Sequence, residues 1–413
     1  MQKFKLTYLL YSLCITVFFL GLQSCKSDID TSDSTSKIEV GSLLQRSDRI
    51  QLGKEWDHVQ NQYNDLKINL EKNPHDNETK VLLANLYTKE ARITGEHGHY
   101  YPAALSILND ALVDKELTQD IKFLALTTKA GVQLSLHDFE AALETGNKAA
   151  LLNPTNAQIH GVLIDANVEL GDYKKAVALA DRMMTIKPDI RSYSRVSYLR
   201  EIHGDVDGSI EAMTMAVKAG YPGYEETAWA MLTLGDIYKQ YGQVDNAEKV
   251  YKTILETRPD YPFAVGALAD ILAMQGKSEE AEILYKEAIS IIPEVGFYIS
   301  LADLYKEQGR KIEMDKLSDE ILVMLKDDTD SGHNMNLEYA HIYLDLFDSP
   351  EKALEYAQKE YIKRPKNIDV NRELAAIYLK LNNKEMAKEH LAKAMTTDSK
   401  HPTLSKINTS LNG

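Results

Sequence analysis

Pro154, Pro188, Pro222, Pro259, Pro293 and Pro365 are separated by 34, 34, 37, 34 and 72 residues, and no other feature of this chain constrains its fold as tightly. A second column keeps the same clock: the small residues Ala142, Ala176, Ser209, Ala247, Ala281, Ala353 and Ala387. A third, Gly171, Gly204, Gly242, Gly276 and Gly309, runs five residues ahead of the second. Such a period is long enough for one helix, a turn and a second helix. A single pair of that kind leaves its outer apolar faces wet, so several copies must stack.

One unit shows the physics. Leu268, Ala269 and Leu272 make an apolar stripe, and Gly276 ends the first helix. Ala281, Leu284, Tyr285 and Ala288 make the facing stripe, and Pro293 stops the second helix. Ala269 and Ala281 are small where the two helices must approach. This segment, from Val265-Gly266-Ala267-Leu268-Ala269-Asp270-Ile271-Leu272 to Pro293, resembles the tetratricopeptide (TPR) repeat at nearly every diagnostic position. The resemblance implies an all-α fold, a TPR α-solenoid coiled as a right-handed superhelix of antiparallel helix pairs.

Nine first helices can be placed, near Lys80, Phe123, Ala157, Arg191, Ala228, Pro262, Val295, Leu337 and Ile368. The later units are degenerate: Met314 replaces the small residue of the seventh, and Asp348 and Asn382 stand where glycine is usual. The apolar spacing of Trp56, Val59, Tyr63, Leu66 and Leu70 predicts an amphipathic helix at 54–72 that caps the stack. The resulting organisation is a capping segment at 51–76, a solenoid of about nine pairs at 77–399, and a short helix or tail at 400–413.

The N-terminus reads differently. Lys3 and Lys5 precede an apolar run from Leu6 to Leu20, and Leu22-Gln23-Ser24-Cys25 follows. At fifteen residues the run is shorter than the ~20 a spanning helix needs. The segment resembles a bacterial lipoprotein signal, which implies cleavage of residues 1–24 and lipidation of Cys25. Residues 25–50 then read as a flexible tether, since Lys26–Ser36 is nearly all Ser, Thr, Asp and Lys. Lys26-Ser27-Asp28-Ile29-Asp30 also resembles the acidic export tags of Bacteroidetes-type lipoproteins. The expectation is a cell-envelope protein held to the outer membrane by lipid alone, facing the periplasm or the surface.

The net charge of −15 argues against a nucleic-acid partner. Nucleophile elbows, metalloprotease helices, dinucleotide glycine runs and cysteine pairs are all missing from the sequence, so the expectation is a non-catalytic protein without a cofactor. Three slips of the clock mark candidate sites. The first, within 90–101, reads as a structural loop anchored by tyrosines, with Glu96, His97 and His99 as weak metal ligands. The second, 219–229, places Trp229 on the groove side of its helix. The third, Asp327-Asp328-Thr329-Asp330-Ser331-Gly332, echoes a calcium loop but lacks the apolar residue after its glycine.

In TPR proteins the first helices line a concave groove, and the register assigns Asp165, Tyr198, Asp236, Asp270 and Asp303 to its ninth position. Successive aspartates at 236, 270 and 303 would stack as an acidic ladder. The basic clamp that family members place at the fifth position is missing there, apart from Arg372 in the last pair. The expected ligand is therefore a basic or neutral protein or peptide. Two other readings stay open: a carbohydrate-binding outer-membrane lipoprotein, and a metal-handling protein that uses the 96–99 loop.

Overall fold

The computed structural model describes residues 40–412; the signal-like segment, Cys25 and the first part of the acidic tether lie outside the described residues. Among the described residues the regular elements are one 3-10 turn, Asp48–Ile50, and twenty α-helices. A leading helix, α1 (Glu55–Lys72), precedes nine pairs. The first five are α2 (Asn77–Thr94) with α3 (His97–Val113), α4 (Gln119–Ser135) with α5 (Phe139–Leu152), α6 (Ala157–Glu169) with α7 (Tyr173–Ile186), α8 (Ile190–Ile202) with α9 (Val206–Ala219), and α10 (Glu225–Gln240) with α11 (Val244–Thr257). The rest are α12 (Pro262–Met274) with α13 (Ser278–Ile291), α14 (Val295–Glu307) with α15 (Lys311–Asp330), α16 (Asn336–Asp345) with α17 (Pro350–Lys363), and α18 (Ile368–Lys380) with α19 (Lys384–Ala394); α20 (Pro402–Asn412) closes the stack.

The turn inside each pair explains the glycine column. Gly171, Gly204, Gly242, Gly276 and Gly309 have φ of 79°, 78°, 80°, 74° and 70°, the left-handed conformation that ends a helix and frees the chain to reverse. His137, Asp348 and Asn382 occupy the same place in other pairs, at φ of 57°, 48° and 58°. His, Asp and Asn tolerate this region better than other side chains do, so the turn survives the loss of glycine. Behind the turns, Ala269 and Ala281 are fully buried and pack with Tyr285, Leu301, Leu304 and Tyr305, joining three consecutive helices. Each large side chain buried this way stabilises the stack by roughly 1.5–3 kcal/mol.

Each first helix packs on its partner and also touches the first helix of the next pair, from α2 through α14 and again between α16 and α18. Second helices of successive pairs make no such close contact, so the first helices lie on the inside of the curve; α3 and α15, six pairs apart, meet across the coil. The curvature is tight enough for the superhelix to meet itself. Turn residues of the early pairs contact residues about five to six pairs later: the Asn334 amide donates to the Leu136 carbonyl at 3.0 Å, and Ile368 N donates to the Tyr173 hydroxyl at 2.8 Å. Arg364 bonds both Glu169 and Glu360 and lies over the Phe139 ring, 4.7 Å from its centroid. At the start of the chain Ile50 and Ile93 share an apolar cluster with Val265, Ile291 and Phe297. The described chain thus coils through more than one superhelical turn, and the start of the second turn meets the first along a seam.

Two sequence expectations need correction. The flexible tether does not run to residue 50, because residues 40–50 are sewn onto the first helices. The Gly41 carbonyl accepts from the hydroxyls of Tyr63 and Tyr87, Leu44 N donates to Tyr100 Oη at 3.0 Å, and Arg46 is 1% exposed between Glu90 and Glu55. No repeat signature covers those residues, but their partners do the ordering. The insertion at 90–101 is also not a loop: it extends α2 to Thr94, and only Gly95 and Glu96 separate it from α3. Tyr100 and Tyr101 are buried, 0% and 3% exposed, as part of α3.

Candidate functional site

The concave wall places Asp165, Asp236, Asp270 and Asp303 on first helices, but three of the four are not free carboxylates. Arg195 of α8 grips Asp165 of α6 with two hydrogen bonds of 2.9 and 2.6 Å. Its guanidinium lies against Gly161, where an added Cβ would sit 3.0 Å from Arg195 Cζ, so the glycine at the fifth position makes room for this cation. Lys239 bridges the next two rungs, 2.6 Å from Asp270 Oδ2 and 3.6 Å from Asp236 Oδ1. Each of these aspartates also accepts from a tyrosine of its own second helix, Asp236 from Tyr251 and Asp270 from Tyr285, both at 2.7 Å.

These contacts set the charges. Burial pushes the Asp236 carboxyl above its ordinary range, against the pull of Lys239 and Tyr251. Burial also works against the Lys239 charge, but Asp270 and Asp236 outweigh it and hold its pKa above the usual lysine value. Reading only the fifth position missed Lys239, which stands three residues beyond the ladder position on α10. The uniformly negative ladder is therefore corrected: its first two rungs share a cation.

Asp303 differs. It has neither a tyrosine nor a bridging lysine of this kind, and burial raises its carboxyl to about 6. His341, on α16, lies near it and is held by Asp345 at 3.3 Å and Glu373 at 3.9 Å. The Glu373 contact, followed by the attraction of Asp345 and Asp303, lifts its imidazole to about 9 against burial, so it carries a positive charge at neutral pH. The lower wall is therefore mixed in sign.

The aromatic candidates are open. Trp229 is 46% exposed and joins none of the apolar clusters among the described residues, whereas Tyr198 shows 37% of its surface but its hydroxyl is buried deeply enough to hold its pKa well above the usual tyrosine value. Tyr221 and Tyr224, in the 219–229 slip, are 75% and 67% exposed with ring centroids 5.9 Å apart. Large aromatic faces left in water beside paired charges are a surface suited to an extended chain.

The weak metal set does not stay together. His99 Nε2 lies 2.7 Å from the Ser42 carbonyl and its ring packs edge-on against Tyr100, which makes it part of the N-terminal strap. Glu96 caps the start of α3 without using its side chain. His97 alone meets other ligand-type groups, Asp328 and His333, brought in from the far side of the seam.

Comparison with known proteins agrees with the fold. The Tetratricopeptide repeat family model matches residues 232–295, and a second model of that description matches residues 373–401. No curated protein matches this chain. Among solved structures, the Cut9-Hcn1 tetramer of the APC/C is similar at 14% identity and a TM-score of 0.45, over 88% of this chain and 61% of that one. A tetratricopeptide repeat protein from Parabacteroides merdae is similar at 16% identity and a TM-score of 0.36, over 71% of this chain and 99% of its own. The human IFIT1 dimer with PPP-AAAA is similar at 12% identity and a TM-score of 0.47, covering 86% of this chain and 96% of that chain.

Proposed function

We propose that the protein is a lipid-anchored, non-catalytic scaffold that holds an extended, basic or neutral protein segment along its inner wall at the outer membrane. The observation that supports the binding reading is the continuous wall of touching first helices on which Tyr198, Trp229 and the carboxylate of Asp303 are not consumed by packing. Solenoids present such walls to long ligands because successive repeats repeat the same contact. The acidic excess of the whole chain, −15, disfavours an acidic tail or a nucleic acid in the same place.

The test is selection of peptides from a random display library on the purified protein. Enriched sequences should be basic or neutral with aromatic or apolar anchors, and Asp303→Asn with Trp229→Ala should abolish the enrichment. Selection of acidic peptides, or enrichment indifferent to both substitutions, would refute the reading. Anchoring rests on Leu22-Gln23-Ser24-Cys25, and its test is separate: Cys25→Ala should move the protein from the outer-membrane fraction to the soluble or unprocessed pool. One observation favours a second reading, a carbohydrate ligand: Tyr221, Tyr224 and Trp229 expose three aromatic faces within nine residues. A glycan array on the wild type and on Tyr224→Ala decides it.

A further inference from the structure

We propose that His97, Asp328 and His333 form a binding site for one borderline divalent transition-metal ion, Zn²⁺ by the character of the donors, which fastens the first superhelical turn to the second. Each residue offers one ligand atom, and these atoms all lie within 4.8 Å of one another. Zinc held by nitrogen and oxygen at about 2.0–2.1 Å separates its ligands by roughly 3.3 Å, so closure requires movement of the order of an ångström.

The backbone builds the site from two sides. On one side, α15 ends in a turn with Gly332 at φ 94°, where His333 N donates to the Asp328 carbonyl and Gly332 N to the Thr329 carbonyl, both at 3.0 Å. This pattern of crossed bonds ties residue 333 to residue 328 across the helix end and sets both side chains on one side of it. On the other side, His97 is the first residue of α3, with its ring stacked on Tyr101 at 5.3 Å. The two ends can meet because residue 98 is glycine: a Cβ there would lie 2.7 Å from Ser331 Oγ.

The surroundings match a metal ligand better than a packing histidine. Both ring nitrogens of His333 are buried, and neither has a hydrogen-bond partner among the described residues. A buried histidine that serves packing ordinarily spends at least one nitrogen on a partner. His137 stands against it, ring centroids 4.5 Å apart, with its own Nδ1 3.1 Å from the Asn334 carbonyl, so it walls the site rather than satisfying His333. A cleft of about 680 Å³ opens onto His97 and Asp328, and Glu294, Asp319, Glu320 and Asp327 line its sides. An acidic approach of this kind concentrates cations.

The donor set chooses the ion. Two imidazoles and one carboxylate suit zinc, cobalt or nickel and not calcium or magnesium, which take oxygen shells. Three protein ligands leave a fourth position for water. Because the ligands come from opposite sides of the seam, an ion there resists unwinding of the coil.

The test uses the full chain after chelator treatment. Calorimetric titration with Zn²⁺ should show one ion per chain, and Co²⁺ should give a visible ligand-field band without thiolate charge transfer, which excludes binding by Cys14 or Cys25. His97→Gln, Asp328→Asn and His333→Gln should each weaken Zn²⁺ binding by no less than the roughly 10–100-fold that loss of an outer-shell partner costs. Zinc should raise the thermal midpoint of the wild type and leave those of the variants unchanged, since only a site of the native state gains stability from its ligand. Circular dichroism of the metal-free variants separates lost binding from lost folding. If a variant fails to fold, the Co²⁺ spectrum of the wild type decides. Absence of the ligand-field band, or binding that survives both histidine substitutions, overturns the site.

Discussion

The inner wall and the seam are built from the same helices but obey different rules. On the wall, contacts join residues one repeat apart, Lys239 to Asp270 and Arg195 to Asp165, or lie within a repeat, Tyr251 and Tyr285 each to the aspartate of its own pair. Along the seam, contacts join residues nearly half the chain apart: Glu169 to Arg364, Leu136 to Asn334, Glu55 to Arg258. The wall is partly exposed and its ion pairs are screened, so they tune what binds. The seam buries Arg364 and Arg258, each 6% exposed, in ion pairs that cross it, so it decides whether the coil stays closed.

That contrast predicts an order of effects. The largest is expected for Arg46→Ala, which releases Glu55, the seam partner of Arg258, and strips Glu90, 0% exposed, of two hydrogen bonds of 2.7 Å each. Leaving a buried carboxylate unpaired costs about 3–5 kcal/mol. Urea denaturation should show a fall of that size, and replacing both partners by apolar residues should recover much of it. Next comes Arg364→Ala, which exposes the same flaw at Glu360, 1% exposed, while Glu169, 28% exposed and raised by burial to about 7, can take up a proton instead. About 2–4 kcal/mol is expected by the same measurement, together with a longer maximum dimension in small-angle scattering. If scattering shows no lengthening, the turns do not depend on this contact.

Smaller again is Gly98→Val, which pushes α3 from the end of α15 against the 2.7 Å limit at Ser331 and should cost about 1–3 kcal/mol in thermal denaturation. Lys239→Gln, on the wall, should change stability by less than about 1 kcal/mol because its partners are a third to a half exposed. A loss as large as that of Arg46→Ala would erase the distinction between the two regions.

The pH response sharpens it further. His341 has a folded value of about 9 against an ordinary 6.5, so its contribution is fully present below pH 6.5 and is lost as pH rises through 9. Its side chain is 55% exposed, and solvent screening keeps the stability effect small. NMR titration of the His341 ring should place its midpoint well above neutral. Asp303 runs toward acid: raised to about 6 from 3.8, it favours folding below pH 3.8 and that advantage is gone once pH passes 6. A basic ligand should accordingly bind more tightly as pH climbs through 6.

Sequence legibility follows the same division. The wall could be read because its geometry is local: the 34-residue clock places each first helix, and the ninth position finds Asp236, Asp270 and Asp303. Even the turns without glycine, at Asp348 and Asn382, kept phase. Lys239 stands three residues beyond the ninth position of its helix, in neither the fifth nor the ninth column, so those columns do not reveal it. The seam was illegible for a deeper reason. The pitch of a solenoid is the sum of small rotations per repeat, and the long helices α2 and α15, which register in the sequence only as slips at 90–101 and 327–332, alter that sum by an amount no spacing gives. Nothing in the spacing of His97, Asp328 and His333 announces that a superhelical turn brings them together, and Arg46 lies in a segment whose composition resembles a linker.

A protein segment lying against the inner wall is what the proposed function requires. A photo-crosslinking amino acid at position 229 or 198, compared with one at Ile312 or Ile362 on the second helices, 83% and 80% exposed, tests it in native membranes. The account predicts a discrete crosslinked species from the two wall positions, reduced by Asp303→Asn, and none from the outer ones. Crosslinks of equal yield from the outer positions, or from those alone, would contradict it.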